Sequence, residues 1–143
     1  MNVNTILNVK GGDVITVSTS TPILEVTKTL AKFGIGSIVV TNDDGTLAGI
    51  VSERDVVRAI AHMGVDVTND AVSEIMTENI ITCDRNDSIN KIMGIMTSKR
   101  FRHMPVVEEG KLKGIISIGD VVQQRIAEAE LEANAMRSYI ATG

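Results

Sequence analysis

Aromatic side chains are almost missing from this chain: there is no tryptophan, and Phe33, Phe101 and Tyr139 make up the whole set. A chain so poor in rings offers no platform on which the bases of single-stranded nucleic acid could stack. Its core must be aliphatic, built from Ile, Val, Leu and seven methionines. Cationic excess is lacking as well, with 14 Lys and Arg against 18 Asp and Glu and a net charge of −4, which argues against a nucleic-acid partner. The single Cys83 excludes an internal disulfide and fits a reducing compartment. Its place in an apolar strand pattern reads as a buried structural thiol. Two histidines and one cysteine assemble no metal cluster. No run approaches eighteen apolar residues, and the start Met1-Asn2-Val3-Asn4 has no basic stretch followed by an apolar one. Neither a membrane span nor a signal peptide is expected, and the protein reads as cytoplasmic.

What is present is a repeat. Gly49-Ile50-Val51-Ser52-Glu53-Arg54-Asp55 recurs sixty-five residues later as Gly114-Ile115-Ile116-Ser117-Ile118-Gly119-Asp120. In each copy an apolar run ends at a serine and enters a segment with apolar residues at helical spacing, Val56, Val57, Ile60 and then Val121, Val122, Ile126. This is a buried strand running into a helix whose N-cap is the serine. The unpaired N–H groups of such a helix start suit an anion. The aspartate three residues on repels phosphate but can accept two hydrogen bonds from a ribose diol. Ser-x-x-Asp is equally the pattern of a capping box, in which the carboxylate turns back to the N-cap N–H.

The rest of the chain repeats around these junctions. Val3, Ile6 and Leu7 share a face of a short helix stopped by Gly11-Gly12. Asp13 to Val17 reads as a strand, and Thr21 as N-cap with Pro22 at N1 opens a helix carrying Ile23, Val26, Leu30 and Phe33. Strands from Ser37 to Thr41 and Leu47 to Val51 flank the turn Asn42-Asp43-Asp44-Gly45, and the helix begun at Ser52 closes at Gly64. After a polar connector with a short helical pattern at Val72, Ile75 and Met76, the strand Asn79 to Cys83 matches Asp13 to Val17 at an offset of 66. Asp87 stands at the place of the cap Thr21, Ile89, Ile92 and Met96 repeat Ile23, Val26 and Leu30, and a turn one residue shorter, Glu108-Glu109-Gly110, brings the offset to 65. An offset that changes only in a turn marks a true internal repeat. Halves of about sixty residues bury too little to stand alone, so the two should pack through their sheets with clefts between them.

The last helix outruns its counterpart. Val122, Ile126, Ala129, Ala133, Met136 and Ile140 alternate spacings of four and three, an a/d seam that either lies on its own domain or pairs with another chain.

The duplicated strand-helix-strand-strand-helix unit with Gly-h-h-Ser-x-x-Asp at its last junction is similar to a tandem pair of cystathionine-β-synthase (CBS) domains, a Bateman module. Ser73-Glu74-Ile75-Met76-Thr77 and Arg100-Phe101-Arg102-His103-Met104-Pro105-Val106-Val107 strengthen the resemblance. It implies an α/β fold of two β-α-β-β-α repeats related by a pseudo-two-fold axis, with a long C-terminal helix. The expected division is a lead-in helix over 1–12, repeats over 13–64 and 79–126, a connector over 65–78 and a helical extension over 127–143. The resemblance also implies regulatory binding of an adenosine nucleotide (AMP, ADP or ATP) between the repeats. Asp55 and Asp120 would then take ribose hydroxyls, Ser52 and Ser117 the phosphate, Thr16 and Thr82 would border the base, and Arg54, Arg102 and His103 would face phosphate. Arg58, Lys99, Arg100 and Arg125 are expected on solvated faces. Gly119 stands where the first repeat has Arg54, and Gly36 and Ser37 where the second has Arg102 and His103, so the two sites should be unequal. The expectation is a non-enzymatic sensor with no catalytic cofactor, a homodimer acting on an unidentified regulated protein. NAD(H) binding and a ligand-free interaction module are the alternatives. A serine-hydrolase reading fails because neither His62 nor His103 sits in a recognisable motif.

Overall fold

The computed structural model describes residues 1–142. Five helices, α1 (Val3–Lys10), α2 (Ile23–Phe33), α3 (Glu53–Met63), α4 (Ile89–Lys99) and α5 (Ile118–Thr142), alternate with five strands, β1 (Thr16–Ser18), β2 (Ser37–Thr41), β3 (Leu47–Ser52), β4 (His103–Glu108) and β5 (Lys111–Ser117). In the first half β1 runs parallel to β2 and β2 antiparallel to β3; in the second, β4 and β5 form an antiparallel hairpin. The α/β class and the duplication are as expected. Even the irregularities repeat, since the register slips between Val40 and Thr41 in one hairpin and between Val106 and Val107, their counterparts, in the other.

Three local expectations are corrected. The strand expected over Asn79 to Cys83 reduces to one parallel bridge, Cys83 with Val106. Cys83 N–H donates to the Pro105 carbonyl (3.0 Å) and Val107 N–H to the Cys83 carbonyl (2.9 Å), but the next rung needs an N–H that Pro105 lacks. In the first half Val39 occupies that place, keeps its N–H, and β1 pairs over three residues. The cap of α4 is Ser88, whose hydroxyl accepts from Lys91 N–H at 3.1 Å, and Asp87 instead accepts from Asp84 N–H and pairs with Lys91. The cap of α2 is Pro22, not Thr21, because Ile23 N–H is drawn to the Asp70 carbonyl at 2.9 Å and Pro22 stays extended beside Ala71.

That last contact belongs to the arrangement that closes the core. The apolar residues of α2, β2, β3 and α3 form one cluster with Val67 and Val72 of the connector, and those of α4, β4, β5 and α5 form another with Val3, Ile6 and Leu7 of α1. Each half is therefore completed by the segment that precedes the other. The backbone contacts match: Val72 N–H bonds Thr21 O and Ile23 N–H bonds Asp70 O, while Val3 N–H bonds Asp87 O and Ile89 N–H bonds Met1 O. A fully buried aliphatic side chain contributes about 1.5–3 kcal/mol. Three from α1 together approach the whole net stability of a small domain, about 5–15 kcal/mol, so α1 is an integral part of the second half.

The crossing explains the glycine that opens each repeated motif. A Cβ on Gly49 would meet Met76 Sδ at 2.6 Å and the Thr77 carbonyl oxygen at 2.9 Å; one on Gly114 would meet Leu7 Cδ2 at 2.7 Å. Only glycine lets the crossing segment lie this close to the strand. Thr77 also pairs with Ile50 (N···O 2.9 and 3.0 Å), so at Gly49 the obstacle includes fixed backbone, whereas at Gly114 it is the end of a flexible side chain. Gly49→Ala is expected to cost about 1–3 kcal/mol as an overpacked core, and Gly114→Ala distinctly less. Urea unfolding of both variants measures this, and equal losses would refute the backbone-clash account.

Candidate functional site

Each Ser-x-x-Asp junction is shaped by a strand that ends where a helix must be capped. At the first, Ser52 is extended (φ −115°, ψ 163°), its hydroxyl accepts from Asp55 N–H at 3.2 Å, and Asp55 Oδ2 accepts from Ser52 N–H at 2.8 Å and from Ser52 Oγ–H at 3.0 Å. The reciprocal capping box is thus formed, and both bonds to the carboxylate end on Oδ2. Glu53 N–H donates to the Gly36 carbonyl (2.9 Å), which ties the junction to the start of β2. The second junction repeats the pattern, with Ser117 N–H to Asp120 Oδ2 at 2.9 Å, Asp120 N–H to Ser117 Oγ at 3.1 Å and Ile118 N–H to the Arg102 carbonyl at 2.8 Å.

The first junction opens on a cleft of about 850 Å³ between the halves. Ser52, Arg54, Asp55, Arg102 and His103 all line it, so the basic residues that the sequence divides between two repeats are brought to one place. Arg58, Lys99 and Arg100, expected on solvated faces, are exposed yet border the same cleft. Thr16 and Thr82, both exposed, lie outside its lining, and so do the half-buried Ser117 and Asp120. Ile50, Val57, Ile80, Ile81 and Phe101 supply an apolar wall. Sequence reading missed these because their facing partner is the connector, whose path no periodicity specifies.

Five permanent cations therefore surround two carboxylates, Glu53 and Asp55, in a protein that is acidic overall. Among the described residues no ion pair engages any of the five. Uncompensated like charges repel, so the cleft is electrostatically prepared for an anion. Two further features concentrate there. Ser37 Oγ is buried with no hydrogen-bond partner among the described residues, a condition that costs stability unless something else bonds it. Arg100 ends α4 in the left-handed region (φ 60°), where the equivalent residue closing α2 is Gly34 (φ 62°). A side chain in that conformation is disfavoured, and its persistence at a cleft suits a role other than stability.

The second junction is occupied. Lys10, at the end of α1, donates to Asp120 Oδ2 at 2.6 Å. Burial opposes ionisation of Asp120, but the Lys10 and Ser117 hydrogen bonds prevail and hold its carboxyl below the usual range. His103, paired in register with Ser117, is pushed below the ordinary histidine value by burial first and by Lys10 and Arg102 beside it, although Asp120 opposes them. That direction favours the neutral imidazole at pH 7. The residue related to Lys10 by the crossing of lead-in and connector is Asn79, which lines the first cleft without charge. The inequality of the two junctions thus has a source beyond the Arg54 and Gly119 contrast. Cys83 is buried and its thiol is pushed up to about 12 by that burial, as expected of an inert structural cysteine.

The family model for the CBS domain matches twice, over residues 9–62 and 72–126. A crystal structure of a CBS-domain containing protein from Agrobacterium tumefaciens is 46% identical, superposes with a TM-score of 0.82, and is covered over 99% of its length by 87% of this chain. A mitochondrial CBS domain-containing protein of Arabidopsis thaliana is 32% identical over 130 residues, 88% of this chain but 63% of that protein, so the chain spans less than two thirds of that relative. A CBS domain pair solved with 5'-methylthioadenosine and S-adenosyl-L-methionine is 25% identical, with a TM-score of 0.76 over 90% of this chain and 98% of the other. Among the described residues no helix is long and apolar enough to cross a membrane, and no cluster of His, Cys, Asp and Glu is poised to hold a metal. With both halves matched and the two core clusters built alike, this chain belongs to the CBS-domain family as a tandem pair.

Proposed function

We propose that the chain is a regulatory sensor of adenosine phosphates that binds its ligand in the cleft at Ser52 and Asp55 and, as a homodimer, reports occupancy to a partner protein. The observation that carries this reading is the set of five cations, none taken by an ion pair among the described residues, in one cleft with a capped aspartate and an apolar wall. Asp55 Oδ2 is committed to the helix cap, which leaves Oδ1 to accept from the ribose hydroxyls. Ile50, Val57, Ile80, Ile81 and Phe101 suit the purine, and Ser37 Oγ offers a donor and acceptor at the floor. Arg54, Arg100 and Arg102 face the phosphates, where a guanidinium can bind two oxygens at once and keeps its charge at any ordinary pH. The relative that binds adenosine-derived ligands supports the class of ligand. Charge separates its members: a neutral thioadenosine or a cationic S-adenosylmethionine gains nothing from five cations, and a nucleotide gains more with each phosphate. The role in this reading is binding, with no catalytic cofactor. In the second junction Lys10 acts as a resident cation on the carboxylate that a ribose would need.

Calorimetric titration of dialysed protein with AMP, ADP, ATP, NADH and S-adenosylmethionine tests the reading. Affinity should rise with phosphate count, and S-adenosylmethionine should bind most weakly. Hydrogen bonds to charged groups are worth about 1.5–3 kcal/mol, so Arg102→Ala and Asp55→Asn should each weaken the nucleotide at least about tenfold. Undiminished affinity in both variants would remove the assignment, and preference for NADH over ATP would replace the ligand.

Arg100→Gly separates binding from folding in one variant. Glycine relieves the left-handed backbone, so thermal stability should hold or rise by up to about 1 kcal/mol, while nucleotide affinity falls. A loss of both would show that Arg100 is structural. Lys10→Ala should leave the first site unchanged, cost no more than about 1 kcal/mol as an exposed ion pair, and strengthen a second, weaker binding event. Identical titrations of Lys10→Ala and wild type would mean that Lys10 blocks nothing.

A further inference from the structure

The last helix carries more apolar surface than the fold uses. The domain packs only against the first part of α5: Ile118 lies on the core, Asp120 pairs with Lys10, Val121 is fully buried, Gln124 Nε2 reaches Met1 Sδ at 2.6 Å, and Glu128 lies 3.5 Å from the Met1 ammonium. From Ala129 to Thr142 every described side chain is exposed. Fourteen residues of helix without tertiary contacts are marginal in water. Yet Val122, Ile126, Met136 and Ile140 stand 42 to 71% exposed along a single stripe that passes through Ala129 and Ala133.

With Ile126, Ala133 and Ile140 at heptad position a and Val122, Ala129 and Met136 at d, the domain contacts at Val121, Gln124 and Glu128 fall at c, f and c. The seam therefore points away from the body of the protein. The charged positions choose the partner and its direction. In a parallel, in-register pair each g residue faces the e residue five places on in the other helix. This sets Arg125 against Glu130 and Glu132 against Arg137, two attractive pairs in each direction. The antiparallel register that best stacks the same seam, Val122 on Ile140 and Ile126 on Met136, sets Glu130 against Glu130 and Glu132 against Glu132. The alanines at the centre allow the helices to approach closely in either case, so charge decides between them.

We propose that the exposed seam of α5 is a docking surface for α5 of a second copy of this chain, joined parallel and in register. This rests on the homodimer reading above and adds its geometry. The paired helices would hold two modules side by side with their nucleotide clefts unobstructed by the contact, since none of the cleft residues lies on α5.

The test uses the full chain with single cysteines. Cys83 is buried, so an introduced thiol is the accessible one. In the parallel pair position 133 faces itself, whereas position 138 lies on the outer side of the helix. Ala133→Cys should oxidise to a linked dimer about tenfold or more faster than Ser138→Cys at micromolar protein, because pairing raises the local thiol concentration. Glu132→Arg should weaken the dimer several-fold in sedimentation equilibrium, and adding Arg137→Glu should restore it. A wild-type chain that stays monomeric at all concentrations would overturn both the dimer and the helix pairing. A dimer in which the two cysteines oxidise equally fast, or which survives truncation after Ala127 undiminished, would overturn the helix pairing alone, and neither result bears on nucleotide binding.

Discussion

The structure depends on two strands being approached more closely than a side chain allows. The connector lies on β3 at Gly49 and α1 lies on β5 at Gly114, and these contacts let each lead-in segment insert its apolar residues into the opposite half. Without the crossing, each half would be a two- or three-stranded sheet with two helices, too small to bury a stable core. With it, the halves are interlocked, and the junction that follows Gly49 is held at a fixed position facing the cleft.

The repeat was plain in the sequence, and with it the α/β class and most elements. The turn Glu109-Gly110, with φ 52° and 77°, shows why the offset could change by one without disturbing either strand. What the pattern could not reveal was which segment meets which. Thr21 and Asp87 look like caps, but caps are settled by backbone partners 47 residues away in one case (Ile23 with Asp70) and in the lead-in segment at Met1 and Val3 in the other. The strand lost before Pro105 is similar: Ile80 to Cys83 is β-branched and apolar enough for a strand, and a missing N–H on its neighbour prevents the ladder. Of the residues that line the cleft, Ser52, Arg54, Asp55, Arg102 and His103 were named from the motif and its resemblance. Arg58, Lys99, Arg100 and the apolar wall were not, because a residue at the edge of a cleft has the same local sequence signature as one on an open surface.

The charge distribution joins these observations. An acidic chain that gathers five cations around one pocket spends stability there, in mutual repulsion, in a left-handed arginine and in an unsatisfied serine hydroxyl. Conflicts between local preference and observed structure tend to mark functional positions. Here three such conflicts lie along one cleft, whereas the second junction has resolved its own by ion pairing with Lys10.

The crossing also orders events in time. As the chain leaves the ribosome, the first half obtains its last core residue, Val72, from the segment made directly after it, and can close early. The second half needs α1, which is synthesised before both repeats and has no place to dock until β5 and α5 follow about a hundred residues later. A contact of such sequence separation is slow to form, so the second half closes later than the first. Because α1 also carries Lys10, the event that finishes the core is the same one that sets the charge at Asp120.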